Sequence, residues 1–136
     1  MADPDVDEMF RAAVAAQAKA YVPYSHFHVG ASIVTTTGAL FAACNVENAA
    51  YPSSVCAEAG AISTMVSAGE REIAAILTVC DGELLGTPCG SCRQRIREFA
   101  VPGALIHVAS AAGVQRTFTI DELLPASFGP EHLGVR

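Results

Sequence analysis

The sequence predicts an α/β fold in three layers, α-β-α, built on a mixed five-stranded sheet with helices on both faces. Three observations carry this expectation. Stretches with helical spacing interrupt short β-rich runs in the order α-β-β-α-β-α-β-β-α. Glu72 to Cys80 (EIAAILTVC) is a nearly continuous apolar run, the pattern of a strand covered on both faces. Hydrophobic residues make up 51% of the chain and charged ones 16%, below the roughly 25% charged share of an average globular chain.

Each element has its own signal. A first helix is predicted from Asp5 to Ala20, because Met9, Phe10, Ala13, Val14 and Ala16 recur on one helical stripe. Asp3 and Asp5 offer N-cap oxygens, and Tyr21 to Pro23 ends the helix. Phe27 to Thr36 and Ala39 to Cys44 read as two strands joined by a tight turn at Thr37–Gly38. Ser54 to Ala68 reads as a helix closed by Gly69, and Glu72 to Cys80 as the buried strand. Pro88 is placed at the first position of a helix running to Phe99. Ala104 to Ala109 and Arg116 to Thr119 follow as strands, and Asp121 to Leu124 as a short helix.

The 136 residues suit one domain over 1–136, with no internal repeat or linker dividing them. Eight Lys and Arg stand against fourteen Asp and Glu, a net charge of −6, so the basic footprint for binding a polynucleotide is missing. No apolar run approaches the ~20 residues that span a bilayer. MADPDVDEMF is acidic where a signal peptide needs a basic stretch. Five cysteines are an awkward number for a disulfide framework, so the expectation is a cytoplasmic protein with reduced thiols. The sparse charge suggests a surface partly hidden against copies of the same chain.

Three cysteines are arranged for chemistry. Cys56 lies in Val55-Cys56-Ala57-Glu58, and Cys89 and Cys92 lie in Pro88-Cys89-Gly90-Ser91-Cys92-Arg93-Gln94, each group at a predicted helix start. Cys89 and Cys92 are three apart and share a helical face, so both thiols can grip one ion. Cys56 supplies a third ligand if the two helix N-termini converge. Three protein ligands leave the fourth tetrahedral position open for water, as in catalytic zinc sites. Helix N-termini favour thiolate over thiol and offset part of the net charge of −1 that three thiolates leave on Zn²⁺. Glu58, in the same first turn as Cys56, is placed to shuttle protons beside the metal. A Cys-x-x-Cys pair alone also fits a redox or buried pair, and a first-turn Glu alone fits dipole stabilisation. The joint Cys-x-Glu…Pro-Cys-x-x-Cys spacing favours zinc, because it matches the three-cysteine signature of the zinc deaminases. Cys44 and Cys80, at strand ends without such partners, read as core residues.

With these residues in view, the chain closely resembles the small homotetrameric cytidine deaminases over almost its whole length. Tyr21-Val-Pro-Tyr-Ser-His-Phe27-His-Val29-Gly30-Ala31 resembles the family's first-strand motif. Cys44-Asn45-Val46-Glu47-Asn48-Ala49-Ala50-Tyr51 resembles its nucleoside-binding segment, and Leu123-Leu124-Pro125-Ala126-Ser127-Phe128 its C-terminal one. Cysteine at position 56, where dimeric relatives carry histidine, points to the tetrameric class. The resemblance implies a cytidine-deaminase-like fold and hydrolytic deamination of cytidine and 2′-deoxycytidine in pyrimidine salvage. It also implies one Zn²⁺ per subunit and a homotetramer with shared sites.

By the same resemblance Glu58 is catalytic and Asn45 and Glu47 hold the ribose 3′-hydroxyl. Phe27 stacks on the base, the backbone of Ala57 and Glu58 reads the ring's amide edge, and Phe128 covers a neighbouring subunit's site. Tetrameric members usually carry Arg directly after the catalytic Glu, on the ligand thiolates; here that residue is Ala59. Arg93, next to Cys92, or the helix dipoles are expected to compensate. The alternatives are another aminopyrimidine nucleoside substrate, such as blasticidin S, or a non-catalytic zinc-binding module.

Overall fold

The structure, a computed structural model, describes residues 4–135. Asp5 caps α1 (Val6–Gln17), its carboxylate accepting from the backbone N–H groups of Asp7 and Glu8 at 3.0 and 3.2 Å. The other expected cap, Asp3, lies outside the described residues. The helix ends three residues before the expected Ala20, and the chain turns there into the segment that leads to the first strand.

The remaining elements are β1 (Val29–Thr35), β2 (Leu40–Cys44), α2 (Ala57–Ser67), β3 (Ile73–Cys80), α3 (Gly90–Phe99), β4 (Ala100–Ser110), β5 (Gly113–Phe118) and α4 (Ile120–Leu123). Single 3₁₀ turns at Tyr51–Ser53 and Pro130–Leu133 add to the predicted set. The sheet order is β2-β1-β3-β4-β5, with β3 and β4 parallel and the other neighbours antiparallel. A mixed five-stranded sheet with helices on both faces is therefore what the chain forms.

Several boundaries move for physical reasons. β4 starts at Ala100 rather than Ala104, because an irregularity in its pairing with β3 absorbs Pro102 and Gly103. β5 starts at Gly113, whose φ of 121° closes the tight hairpin from Ser110. Pro88 is not the first residue of α3; it precedes Cys89, which is the N-cap.

Side-chain parity along the strands divides the interior in two. Ala31, Ile33, Ile76, Ile106 and Val108 pack with Ala57, Ala61, Ile62, Met65 and Ile96 of α2 and α3. On the opposite face Ala75, Leu77, Val79 and Ala109 pack against Met9 and Ala13 of α1. Each large side chain buried this way contributes about 1.5–3 kcal/mol.

The register also fixes where a site can form. Val29 pairs with Cys80 and Gly30 with Cys44, so the start of β1 and the ends of β2 and β3 meet at one end of the sheet. At this same end α1 sits so close to β1 that only glycine fits. A Cβ on Gly30 would lie 2.0 Å from the Ala13 carbonyl oxygen and 2.8 Å from the Gln17 nitrogen. Gly30→Ala is accordingly expected to destabilise the fold by about 3 kcal/mol, read from the shift in urea midpoint. A change too small to resolve would mean that α1 can withdraw freely.

Candidate active site

α2 and α3, packed on one face of the sheet, are each entered through a cysteine. Cys56 is the N-cap of α2 and Cys89 the N-cap of α3, and neither side chain is used to cap its own helix. Cys92 lies in the first turn of α3, facing inward and fully buried. The sulfur atoms of Cys56, Cys89 and Cys92 all lie within 4.8 Å of one another. Tetrahedral zinc with Zn–S bonds near 2.3 Å needs sulfurs roughly 3.8 Å apart, so this donor set fits the ion after a small inward adjustment. Three soft donors with no fourth among the described Cys, His, Asp and Glu residues make an open site rather than a closed structural one.

The thiols influence one another's protons. The Cys56 thiol is lowered to about 6, first because Cys92 donates a hydrogen bond to it, with Cys89 and the Arg95 charge adding to the effect. Cys92, the donor, is pushed up correspondingly, and burial pushes it further. Arg95 Nη1 donates to Cys92 Sγ at 3.4 Å. This corrects the expectation for Arg93. The Arg93 guanidinium instead donates to the Pro88 carbonyl at 2.8 Å, the Leu123 carbonyl at 2.8 Å and Thr87 Oγ1 at 2.7 Å. Arg93 braces the segment carrying Cys89, and Arg95 is the cation that meets a thiol.

Glu58, in the first turn of α2, is 5% exposed. Burial pushes its carboxyl up, and the Cys56 charge adds to this. It borders a cavity of about 180 Å³ whose wall includes Phe27, Asn45, Cys56, Ala57, Thr78 and Cys89. Phe27 reaches the cavity because His26, at φ 58°, turns the chain just before it. Cys80, read from the sequence as a core residue, is buried, and it also lines this cavity, its thiol donating to the Gly86 carbonyl at 3.5 Å. Cys44, also expected in the core, is only half-buried.

Asn45 and Glu47 border an adjoining cavity of about 410 Å³ together with Tyr24, Tyr51 and Cys56. Asn45 Oδ1 accepts from the Val29 N–H at 2.9 Å, and its Nδ2 donates to the Phe27 carbonyl at 3.0 Å. Glu47 accepts from the backbone N–H groups of Tyr24 and Ser25, both at 3.1 Å, and from the Ser25 hydroxyl. These bonds hold its carboxyl below the usual range, the Ser25 hydroxyl foremost. An amide and a carboxylate offer more positions than these bonds use, so both retain capacity for a hydroxylated ligand. A two-residue bridge joins the two cavities. Val46 and Val55 exchange backbone hydrogen bonds at 2.9 and 2.8 Å, which fixes Cys56 beside Asn45 and Glu47.

Phe128 is not brought to these cavities within its own chain. Its ring is 56% exposed and stacks on His132, with centroids 4.9 Å apart. Sequence reading did not single out Thr78, Ser25 or Arg95. Thr78 is the one hydroxyl in the apolar run of β3, and its position two residues before Cys80 puts both on one face.

Residues 4–108 match the family described as cytidine and deoxycytidylate deaminase zinc-binding region. The chain is 38% identical to the cytidine deaminase of Sporosarcina psychrophila over 129 residues, covering 95% of each sequence. The solved cytidine deaminase of Burkholderia pseudomallei superposes with a TM-score of 0.84 at 39% identity, covering 91% of this chain and 99% of that one. That of Mycobacterium tuberculosis gives 0.79 at 35% identity, over 93% and 99%.

The donor set sets up a metal test. The chain stripped with a strong chelator is expected to take up one equivalent of Zn²⁺, measured by calorimetry. Cys92→Ser, which removes the buried thiol, is expected to weaken uptake by at least about tenfold. Zinc uptake by Cys92→Ser equal to that of the unmodified chain would place the metal elsewhere. The match over residues 4–108, the near full-length relatives and the open three-thiol cluster agree: this chain belongs to the zinc-binding cytidine and deoxycytidylate deaminase family.

Proposed function

We propose that the chain, acting as one catalytic domain over residues 1–136, hydrolyses cytidine and 2′-deoxycytidine to the corresponding uridines and ammonia. The observation that carries this reading is the buried Glu58 carboxyl on the wall of a cavity it shares with Cys56, Cys89 and Phe27. Cys56, Cys89 and Cys92 would hold Zn²⁺, which when bound supplies a Lewis acid that makes water a competent nucleophile near neutral pH.

The rest is the work of the chain's own groups. Phe27 stacks on the pyrimidine, and the backbone at Ala57 and Glu58 reads the amide edge of the ring. Asn45 and Glu47 hold the ribose 3′-hydroxyl. Glu58 takes a proton from the attacking water and delivers it to N3 as the C4–O bond forms. It then takes the proton of the new C4 hydroxyl and passes it to the amino group; the C4–N bond breaks as the C4 carbonyl forms, and ammonia leaves. A carboxyl raised by burial suits both halves of this transfer, because it binds a proton readily and gives it up to a stronger base.

The site is completed by neighbouring copies in a homotetramer, with Phe128 of one subunit covering the site of another. Support comes from the aromatic side chains exposed on a single chain: Tyr24, Phe27, Tyr51 and Phe128 are all 45% exposed or more. So much exposed apolar surface marks a contact face. The five free cysteines suit the reducing cytoplasm. No described helix is long and apolar enough to cross a membrane.

Glu58→Gln keeps the shape of the side chain and removes its proton. It is expected to retain zinc and lose about 10²–10⁴-fold in kcat, followed by the fall in absorbance as the 4-amino group is lost. The panel should hold cytidine, deoxycytidine, cytosine, blasticidin S and adenosine, and no turnover of any pyrimidine nucleoside would sink the reading. For assembly, light scattering should report four times the 14.1 kDa subunit. Phe128→Ala is expected to raise KM several-fold without changing that mass. A 14.1 kDa species in solution would contradict shared sites.

A further inference from the structure

We propose that Thr78 is a positioning residue for Glu58, its hydroxyl anchoring one carboxylate oxygen so that the other is presented to the substrate. The inference rests on the reading of Glu58 as the proton carrier.

Thr78 Oγ1 donates to Glu58 Oε2 at 3.4 Å, and both residues are at least nine-tenths buried. A hydroxyl inside an apolar layer must find an acceptor, and a buried carboxylate must find donors. Each answers the other's need. Thr78 stands on β3, the central strand, opposite Ala31 of β1 on one side and Val108 of β4 on the other. Its backbone is thus held from both sides, and a β-branched side chain has few χ1 choices. Glu58, by contrast, has a long flexible side chain whose rotamer must be fixed if proton transfer is to be efficient. Parity puts Thr78 on the same face as Cys80, and both line the cavity that Glu58 borders. The threonine methyl fills space that valine would fill equally, so the hydroxyl is the part that packing leaves unexplained.

Thr78→Val removes the hydroxyl while keeping the shape, Thr78→Ser keeps the hydroxyl, and Thr78→Ala is a second hydroxyl-free variant. All are assayed as the zinc-loaded enzyme with cytidine. In Thr78→Val and Thr78→Ala, kcat is expected to fall about tenfold with KM within about twofold, the scale of one hydrogen bond to a charged group. Thr78→Ser is expected to stay within about threefold of the unmodified enzyme. A second readout does not depend on turnover. Affinity for a cytidine analogue with a tetrahedral, hydroxyl-bearing C4 should fall about as far as kcat, while affinity for uridine stays unchanged.

Thr78→Val with full kcat overturns the proposal. So does Thr78→Ser falling as far as Thr78→Val, since a variant that keeps the hydroxyl would then be no better than one that lacks it. Failure of the underlying reading looks different: the unmodified enzyme would not turn over cytidine, or Glu58→Gln would be as fast as it.

Discussion

Two helices starting side by side at one end of the sheet are the constraint on which the chemistry of this chain depends. The register of β1 with β2 and β3 brings Val29, Cys44 and Cys80 to that end. The packing of α2 and α3 on the face lined by Ala31, Ile76 and Val108 then aims both helix N-termini at the same place. Because each helix is entered through a cysteine, convergence of the helices is also convergence of thiols. Without the apolar layer beneath Met65 and Ile96, there would be no cluster of sulfurs to hold an ion.

Electrostatics at that point is a balance of crowded negative groups. Three sulfurs and a buried carboxyl share a small volume, and they would repel one another if all were charged. Two helix dipoles and Arg95 oppose this from outside, while the hydrogen bond from Cys92 to Cys56 relieves it from within. Burial does the opposite work on Glu58, keeping a proton within its reach. The layout uses few charges, which agrees with a chain that has few to spend.

The layered fold and the metal-binding spacing were both legible in the sequence, because each depends on short-range pattern. Within the run from Glu72, the strand Ile73–Cys80 is covered on both faces, and the Cys89/Cys92 spacing falls on one helical face. Helix starts were less legible. Pro88 suggested the first position of α3, whereas the backbone of Cys89 remains extended and forms the cap. Arg93 misled by adjacency. One residue along a helix turns the side chain about 100° away, whereas three residues bring it nearly back, so Arg95 and not Arg93 meets Cys92. Thr78 could not be paired with Glu58 from sequence, since their contact joins a strand to a helix across twenty residues. Phe128 stands outside the two cavities and stacks on His132 instead, an arrangement that no spacing rule in the sequence announces.

The short bridge between Val46 and Val55 has a consequence for how such a site can change. It ties the segment bearing Asn45 and Glu47 to the segment bearing Cys56 through two backbone hydrogen bonds. The two halves of the pocket are therefore not separate modules. A substitution that moves Asn45 or Glu47 drags on the segment leading into Cys56, and one that re-aims Cys56 disturbs Asn45 and Glu47. The opposite wall, at Phe27, Cys80 and Gly86, is held by side-chain bonds, from the Cys80 thiol to the Gly86 carbonyl and from Asn45 Nδ2 to the Phe27 carbonyl, rather than by a backbone pair, so new nucleoside specificities are more accessible from there. The evolutionary freedom of the pocket is lopsided, and two backbone hydrogen bonds set its direction.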